Sequence, residues 1–157
     1  AMPHRIERVL GDVRAKWPDM KLALHLHDTR GIAIANAHVA MKMGVAQFDT
    51  TVGGLGGCPF AGQKGAAGNI CTEELVLLCN EMGIHTGVDL DHLIEVGRMA
   101  ESIVAHQLPS ELFHAGSLDA DRKKGAGGGG GGWTMEGTTR WGFFPAIGNT
   151  AHDDTTR

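Results

Sequence analysis

The chain has 157 residues, a formal charge of -4, 42% hydrophobic and 20% charged residues, the composition of an ordinary globular domain. No apolar run approaches the roughly 20 residues of a membrane helix, and Lys and Arg form no basic field, which argues against membrane insertion and against nucleic-acid binding. Three cysteines, Cys58, Cys71 and Cys79, show no paired spacing, and the amino terminus lacks a signal-peptide pattern; a reducing cytoplasm fits best.

Apolar residues at Ile6, Val9, Leu10, Val13 and Trp17 line one side of a helix predicted from Pro3 to Trp17, with Pro at its first turn and Pro18 just past its end. From Lys21 to Asp28, Leu22, Leu24 and Leu26 share one face while Ala23, His25 and His27 share the other, the alternation of a strand. Ile32, Ala35, Val39 and Met43 recur at helical intervals within Gly31 to Met43, and Gly44 stands where a helix terminates. A second strand is expected over Val45 to Val52. A glycine-rich loop, Gly53 to Gly68, leads to a helix from about Glu73 to Met82, with Thr72 as its cap, two acids in its first turn to meet the helix dipole, and Gly83 at its end. Asp89 is expected to cap a further helix that Pro109 stops.

The order helix, strand, helix, strand, helix, helix describes two βα units of a parallel sheet with an appended helix. Two parallel strands with open edges do not make a stable domain, so further strands are expected upstream. Residues 1–116 form the folded part in this reading. Residues 117–157, with a run of glycine from Gly127 to Gly132, form a tail expected to be disordered or translated out of frame.

Two imidazoles at alternate strand positions project to the same side, about 7 Å apart at Cα, within reach of one metal ion. Among nine histidines such a pair alone favours a structural reading. His27, however, runs into the polar turn Asp28-Thr29-Arg30-Gly31 at the carboxyl end of a strand, where α/β folds place their sites. Cys58 lies in a loop with Gly53, Gly54, Gly56 and Gly57, whose backbone freedom suits close approach to a ligand; a passive thiol in that loop is the bland alternative. Asn69, just before the next helix, offers an amide oxygen that suits a hard or borderline divalent ion, or is simply a turn residue. Cys71 and Cys79 are assigned to packing.

His25-x-His27-Asp28-Thr29-x-Gly31-x-Ala33-x-Ala35-Asn36, then Phe48-Asp49, then Val52-Gly-Gly-Leu-Gly-Gly-Cys58-Pro-Phe-Ala61, then Gly65-Ala-Ala-Gly-Asn69-x-x-Thr72-Glu73, and Met82-Gly-Ile-x-Thr-Gly-Val-Asp89-Leu90 together resemble the end of the hydroxymethylglutaryl-CoA lyase family. The similarity runs from about residue 3 to 116. It implies an α/β fold, the C-terminal fragment of a TIM (β/α)8 barrel comprising the last two βα units and an appended helix, a whole barrel taking about 250 residues. It makes His25 and His27 metal ligands from the seventh strand, Asn69 a ligand from beyond the eighth, Cys58 the active-site loop thiol, and Gly53, Gly54, Gly56 and Gly57 part of the substrate loop. The family's first-strand Arg and metal-binding Asp have no counterpart in this chain, and the stretch between Cys58 and Asn69 is about two residues longer than in the mitochondrial-type enzymes.

For the intact parent the resemblance implies Mg2+- or Mn2+-dependent cleavage of 3-hydroxy-3-methylglutaryl-CoA to acetyl-CoA and acetoacetate. Cys58 would donate a proton to carbon, and His25 would serve as ligand and in proton transfer. Related acyl-CoA-condensing synthases carry Gly-Glu-Arg where this chain has Gly57-Cys58-Pro59, which favours a lyase; another substrate, such as citramalyl-CoA, remains open. The expected partner is an acyl-CoA, with no nucleic acid or membrane, in the cytoplasm of a bacterium or the matrix of a mitochondrion, and the parent is open to homo-oligomer formation. Two readings of other classes stand beside this one: an inactive truncated fragment, which would show no turnover by itself, and a small metal-binding module.

Overall fold

A computed structural model describes residues 1–57 and 68–118. Helix α1 spans Pro3–Lys16, strand β1 Ala23–His25, helix α2 Ala33–Lys42 and strand β2 Gln47–Asp49; a single 3-10 turn at Val52–Gly54 follows. Helix α3 then runs over Thr72–Glu81, α4 over Leu90–Val104 and the short α5 over Leu112–Ala115.

The two strands pair in parallel, with Ala23 opposite Gln47, Leu24 opposite Phe48 and His25 opposite Asp49. The regular strands are shorter than the alternation in sequence suggests, but the pairing pattern does not stop with them. Past β1, the Ile70 amide donates to the Leu26 carbonyl (3.0 Å) and the Asp28 amide to the Gly68 carbonyl (3.1 Å), an antiparallel bridge between His27 and Asn69. Past β2, the Thr51 amide donates to Ile70 (3.2 Å) and the Thr72 amide to Thr51 (3.0 Å). The segment just before α3 is thereby stitched to both strand ends.

Leu24 and Leu26 pack with Ala33, Ala37, Ile70 and Leu75, so one face of the strand pair is covered by α2 and α3. Small alanines at that contact let the α2 backbone approach the sheet. Leu10 of α1 meets Ala40 and Val45 at the other end of α2. A third cluster, Val76, Leu90, Ile94, Leu108, Leu112 and Phe113, joins α3, α4 and α5. The opposite face of the strand pair, carrying His25 and Asp49, is exposed.

Asp89 caps α4 as expected, accepting from the His92 amide at 3.0 Å. Thr72 does not cap α3. Cys71 holds the cap position with no side-chain hydrogen bond, while Thr72, the first residue of the helix, donates its amide to Thr51 and its hydroxyl to Thr50. Nor does Pro109 stop α4: the helix ends where Ala105 turns left-handed, at φ 56°. Residues 106–111 then strap back across the α3 end to α5. Ser117, expected to begin the tail, is buried and hydrogen-bonded to Asp91. Among the described residues no helix is long and apolar enough to cross a membrane.

Candidate metal centre

The strand direction, the α2 cap and the α3 approach converge on the carboxyl ends of β1 and β2. Asp28, immediately after His27, turns back to accept the Ala33 amide at 2.7 Å, which fixes the polar turn between β1 and α2. The two imidazoles meet edge to face, their ring centres 5.0 Å apart and their Nε2 atoms 3.1 Å apart. One shared proton or one shared cation satisfies such a pair. For ligand bonds of ~2.1 Å, two adjacent sites on an octahedral ion lie ~3.0 Å apart, so the observed spacing is that of two cis ligands.

His25 is also held from behind. Its Nδ1 lies 3.5 Å from the Asp49 carboxylate, directly across the β1–β2 register. A carboxylate on one ring nitrogen favours the proton there and leaves the other nitrogen free to ligate. That free nitrogen is the one facing His27.

Asn69 is tied to His27 through a backbone bridge. Its Nδ2 donates to the Leu55 carbonyl (3.3 Å), and its buried Oδ1 has no hydrogen-bond partner among the described residues. His27 Nδ1 is likewise buried and unpartnered. A buried, unsatisfied amide oxygen costs on the order of 1–3 kcal/mol, which an ion or ordered water would recover. Two imidazoles and an amide oxygen fit a borderline divalent cation.

Of the other residues expected at the site, Gly53 and Gly54 are buried in the 3-10 turn, with Gly56 and Gly57 exposed beyond it. Cys58 lies outside the described residues. Cys71 and Cys79 are free and buried, in keeping with packing.

A second group of possible metal-binding side chains, Cys71, Glu73 and Glu74, brings its ligand atoms within 4.8 Å of one another. Most of these ligand atoms are engaged internally, although Glu74 Oε2 is buried with no hydrogen-bond partner among the described residues. Both Glu73 oxygens accept from the Gly53 amide at 3.0 Å, and Glu74 Oε1 accepts from the Ser110 hydroxyl and the Glu111 amide, each at 2.8 Å. Burial, reinforced by the neighbouring Glu74 carboxylate, pushes the Cys71 thiol far above the ordinary range, so it stays protonated and a poor ligand. Sequence reasoning missed the roles of Asp49, Asp28 and Glu73. The Asp49 contact follows from strand register, whereas an acid in a helix's first turn gives no sign of which way it faces.

Residues 1–100 match a family model described as HMGL-like. The hydroxymethylglutaryl-CoA lyase YngG of Bacillus subtilis is 43% identical over 110 residues, covering 70% of this chain and 36% of the relative. The mitochondrial hydroxymethylglutaryl-CoA lyase of Gallus gallus is 50% identical over 95 residues, covering 60% and 31%. A solved HMG-CoA lyase from Acinetobacter baumannii, in complex with coenzyme A and 3-methylmalate, superposes with a TM-score of 0.69 at 44% identity, covering 75% of this chain and 38% of that one. The chain therefore spans about a third of the length of the curated relatives it matches. Its paired strands, its helices and the family match agree: the chain belongs to the HMGL-like family and supplies two βα units of a TIM barrel together with the helix appended to them.

Proposed function

We propose that this chain provides the metal-holding end of a carbon–carbon lyase that cleaves 3-hydroxy-3-methylglutaryl-CoA to acetyl-CoA and acetoacetate. The observation that carries the reading is the convergence of His25 and His27, Nε2 to Nε2 at 3.1 Å, with Asn69 bridged to His27 through its backbone and its buried amide oxygen unpartnered among the described residues. His25, His27 and Asn69 would hold the ion, Mg2+ or Mn2+, which when bound acidifies the substrate's tertiary hydroxyl and fixes its orientation.

His25 fits a second task. We assign it to proton transfer through Nδ1 alone: with Nε2 on the ion, the Nδ1 proton, 3.5 Å from the Asp49 carboxylate, is the one it can give up and regain without losing its orientation. Once the hydroxyl proton leaves, the alkoxide collapses to a ketone and the C–C bond electrons pass to the acetyl-CoA carbon, which must be protonated. Cys58 is the proposed donor: a thiol of ordinary pKa ~8.5 is mostly protonated at neutral pH. Gly53, Gly54, Gly56 and Gly57 form the stem that brings it. Residues 1–116 are the catalytic part in this proposal, and an acyl-CoA is the substrate. A reducing compartment, the cytoplasm or the mitochondrial matrix, suits the free thiols.

The test is Mn2+ binding by the full chain, read by electron paramagnetic resonance, for the wild type, His25→Ala, His27→Ala and Asn69→Ala. Each substitution is expected to weaken binding by roughly tenfold or more, consistent with loss of a direct ligand. Binding indifferent to both histidines would overturn the assignment. In the whole protein, acetyl-CoA release from 3-hydroxy-3-methylglutaryl-CoA should need the ion and fall sharply in Cys58→Ala; release from citramalyl-CoA instead would move the substrate assignment.

A further inference from the structure

Glu73 is fully buried, at 0% exposure, although an acid meeting the α3 dipole could do so from solvent. It turns inward and places both carboxylate oxygens 3.0 Å from one donor, the Gly53 amide. Burying a carboxylate is costly, and two backbone N–H groups, its own and that of Gly53, compensate it only in part. Desolvation accordingly raises its pKa. The contact therefore does more than close a helix end.

Gly53 sits at φ 58°, a conformation side chains rarely adopt, and it has no room to shift. A Cβ built on it would lie 2.6 Å from Leu108 Cδ1 and 3.0 Å from Phe113 Cε2. The strap thus closes Gly53 from one side while Glu73 holds its amide. Gly54 then packs under the segment that carries Asn69: a Cβ there would be 3.2 Å from the Asn69 carbonyl oxygen, and one on Gly68 only 2.0 Å from the Gly54 carbonyl oxygen. Leu55, the next residue, accepts from Asn69 Nδ2. One continuous set of contacts runs from Glu73 through Gly53 and Gly54 to the amide of Asn69.

We infer that Glu73 is the positioning residue of the metal centre, locking the Gly53–Leu55 turn so that the Leu55 carbonyl holds the Asn69 side-chain amide and Gly54 packs against the Asn69 backbone. Both its carboxylate oxygens face the Gly53 amide. The inference rests on the metal-site reading for its consequence, while the positioning itself is observable without any metal.

Two variants test it in the full chain. Glu73→Gln keeps an acceptor for Gly53, and Glu73→Ala removes it. Amide hydrogen exchange and the side-chain NH2 signals of Asn69 are followed by NMR in metal-free protein, and Mn2+ affinity is measured beside them. Glu73→Ala is expected to speed exchange at Gly53, Gly54 and Leu55 roughly tenfold or more and to shift the Asn69 NH2 signals, with α1 and α2 amides unchanged. Glu73→Gln should restore both close to wild type. If Mn2+ binds through His25 and His27, affinity should follow the Asn69 signals. The inference fails if Asn69 keeps wild-type signals in Glu73→Ala. It also fails if Glu73→Gln and Glu73→Ala disturb Asn69 equally. If metal binding is indifferent to the histidines, the site reading fails, and the Asn69 signals still decide the role of Glu73.

Discussion

Gly97, in the middle of α4, is a place where adding one methyl group should cost more than helix propensity returns. A Cβ there would lie 2.1 Å from Phe113 Cε1 and 2.2 Å from Cζ. Ordinary carbon contacts are about 3.5 Å, so the ring would have to retreat by roughly 1.3 Å. It has little freedom to do so. Phe113 is 4% exposed, its ring abuts Gly53, and its carbonyl accepts two bonds from Arg98, at 3.2 and 2.9 Å. Overpacking of a tight core costs about 1–3 kcal/mol. Alanine recovers at most about 1 kcal/mol over glycine in a helix. The net expectation for Gly97→Ala is a loss of about 1–2 kcal/mol, read as a lower urea midpoint with unchanged slope in circular dichroism. Gly97→Ala combined with Phe113→Leu should recover part of the loss, since the two groups compete for one space. An unchanged or higher midpoint for Gly97→Ala would refute the packing argument.

Two further outcomes are expected. Ala105 bears the left-handed turn that ends α4, so Ala105→Gly should raise stability by about 0.5–1 kcal/mol in the same assay, the relief of an L-residue's penalty less glycine's entropic cost. Cys71 should resist thiol reagents in the folded chain at neutral pH, reacting only as the chain opens. Because its folded pKa lies above the unfolded value, folding favours the neutral thiol: that contribution is intact below about pH 8.5 and is lost as pH rises past it. Cys71→Ala should therefore flatten the alkaline fall in stability, which pH-dependent denaturation would show.

The helices and strand faces were legible where each buries a stripe, although Val9 and Trp17, on the expected buried side of the first helix, are exposed. Ile6 and Leu10 repeat at helical spacing, and Leu24 and Leu26 alternate with His25 and His27, so period alone separates α1 from β1. The histidine pair was legible for the same reason. What could not be read was how distant segments meet. Nothing in the local sequence places Asn69 across from His27; the bridge arises because residues 68–72 run between two strand ends. Thr72 lies inside α3 with its amide on Thr51 and its hydroxyl on Thr50, partners distant in sequence that the local cap preference does not reveal. The strap and α5 escaped because their anchors, Glu101 to the Leu108 amide and Arg98 to Phe113, are side-chain-to-backbone bonds without a period.

The stitching of residues 68–72 to both strand ends has a consequence for how such a protein can diverge. Gly57 and Gly68 flank a span of chain whose far shore is fastened independently, by the Asp28, Leu26 and Thr51 backbone bonds. Changing the number of residues between them need not move Asn69. By chain-closure entropy, two added residues in a span of that size cost a few tenths of a kcal/mol at most. The length of the span and the seating of Asn69 can thus be inherited separately: mutation is free to change the number of residues between Gly57 and Gly68 while the backbone bonds that hold residues 68–72 stay constant.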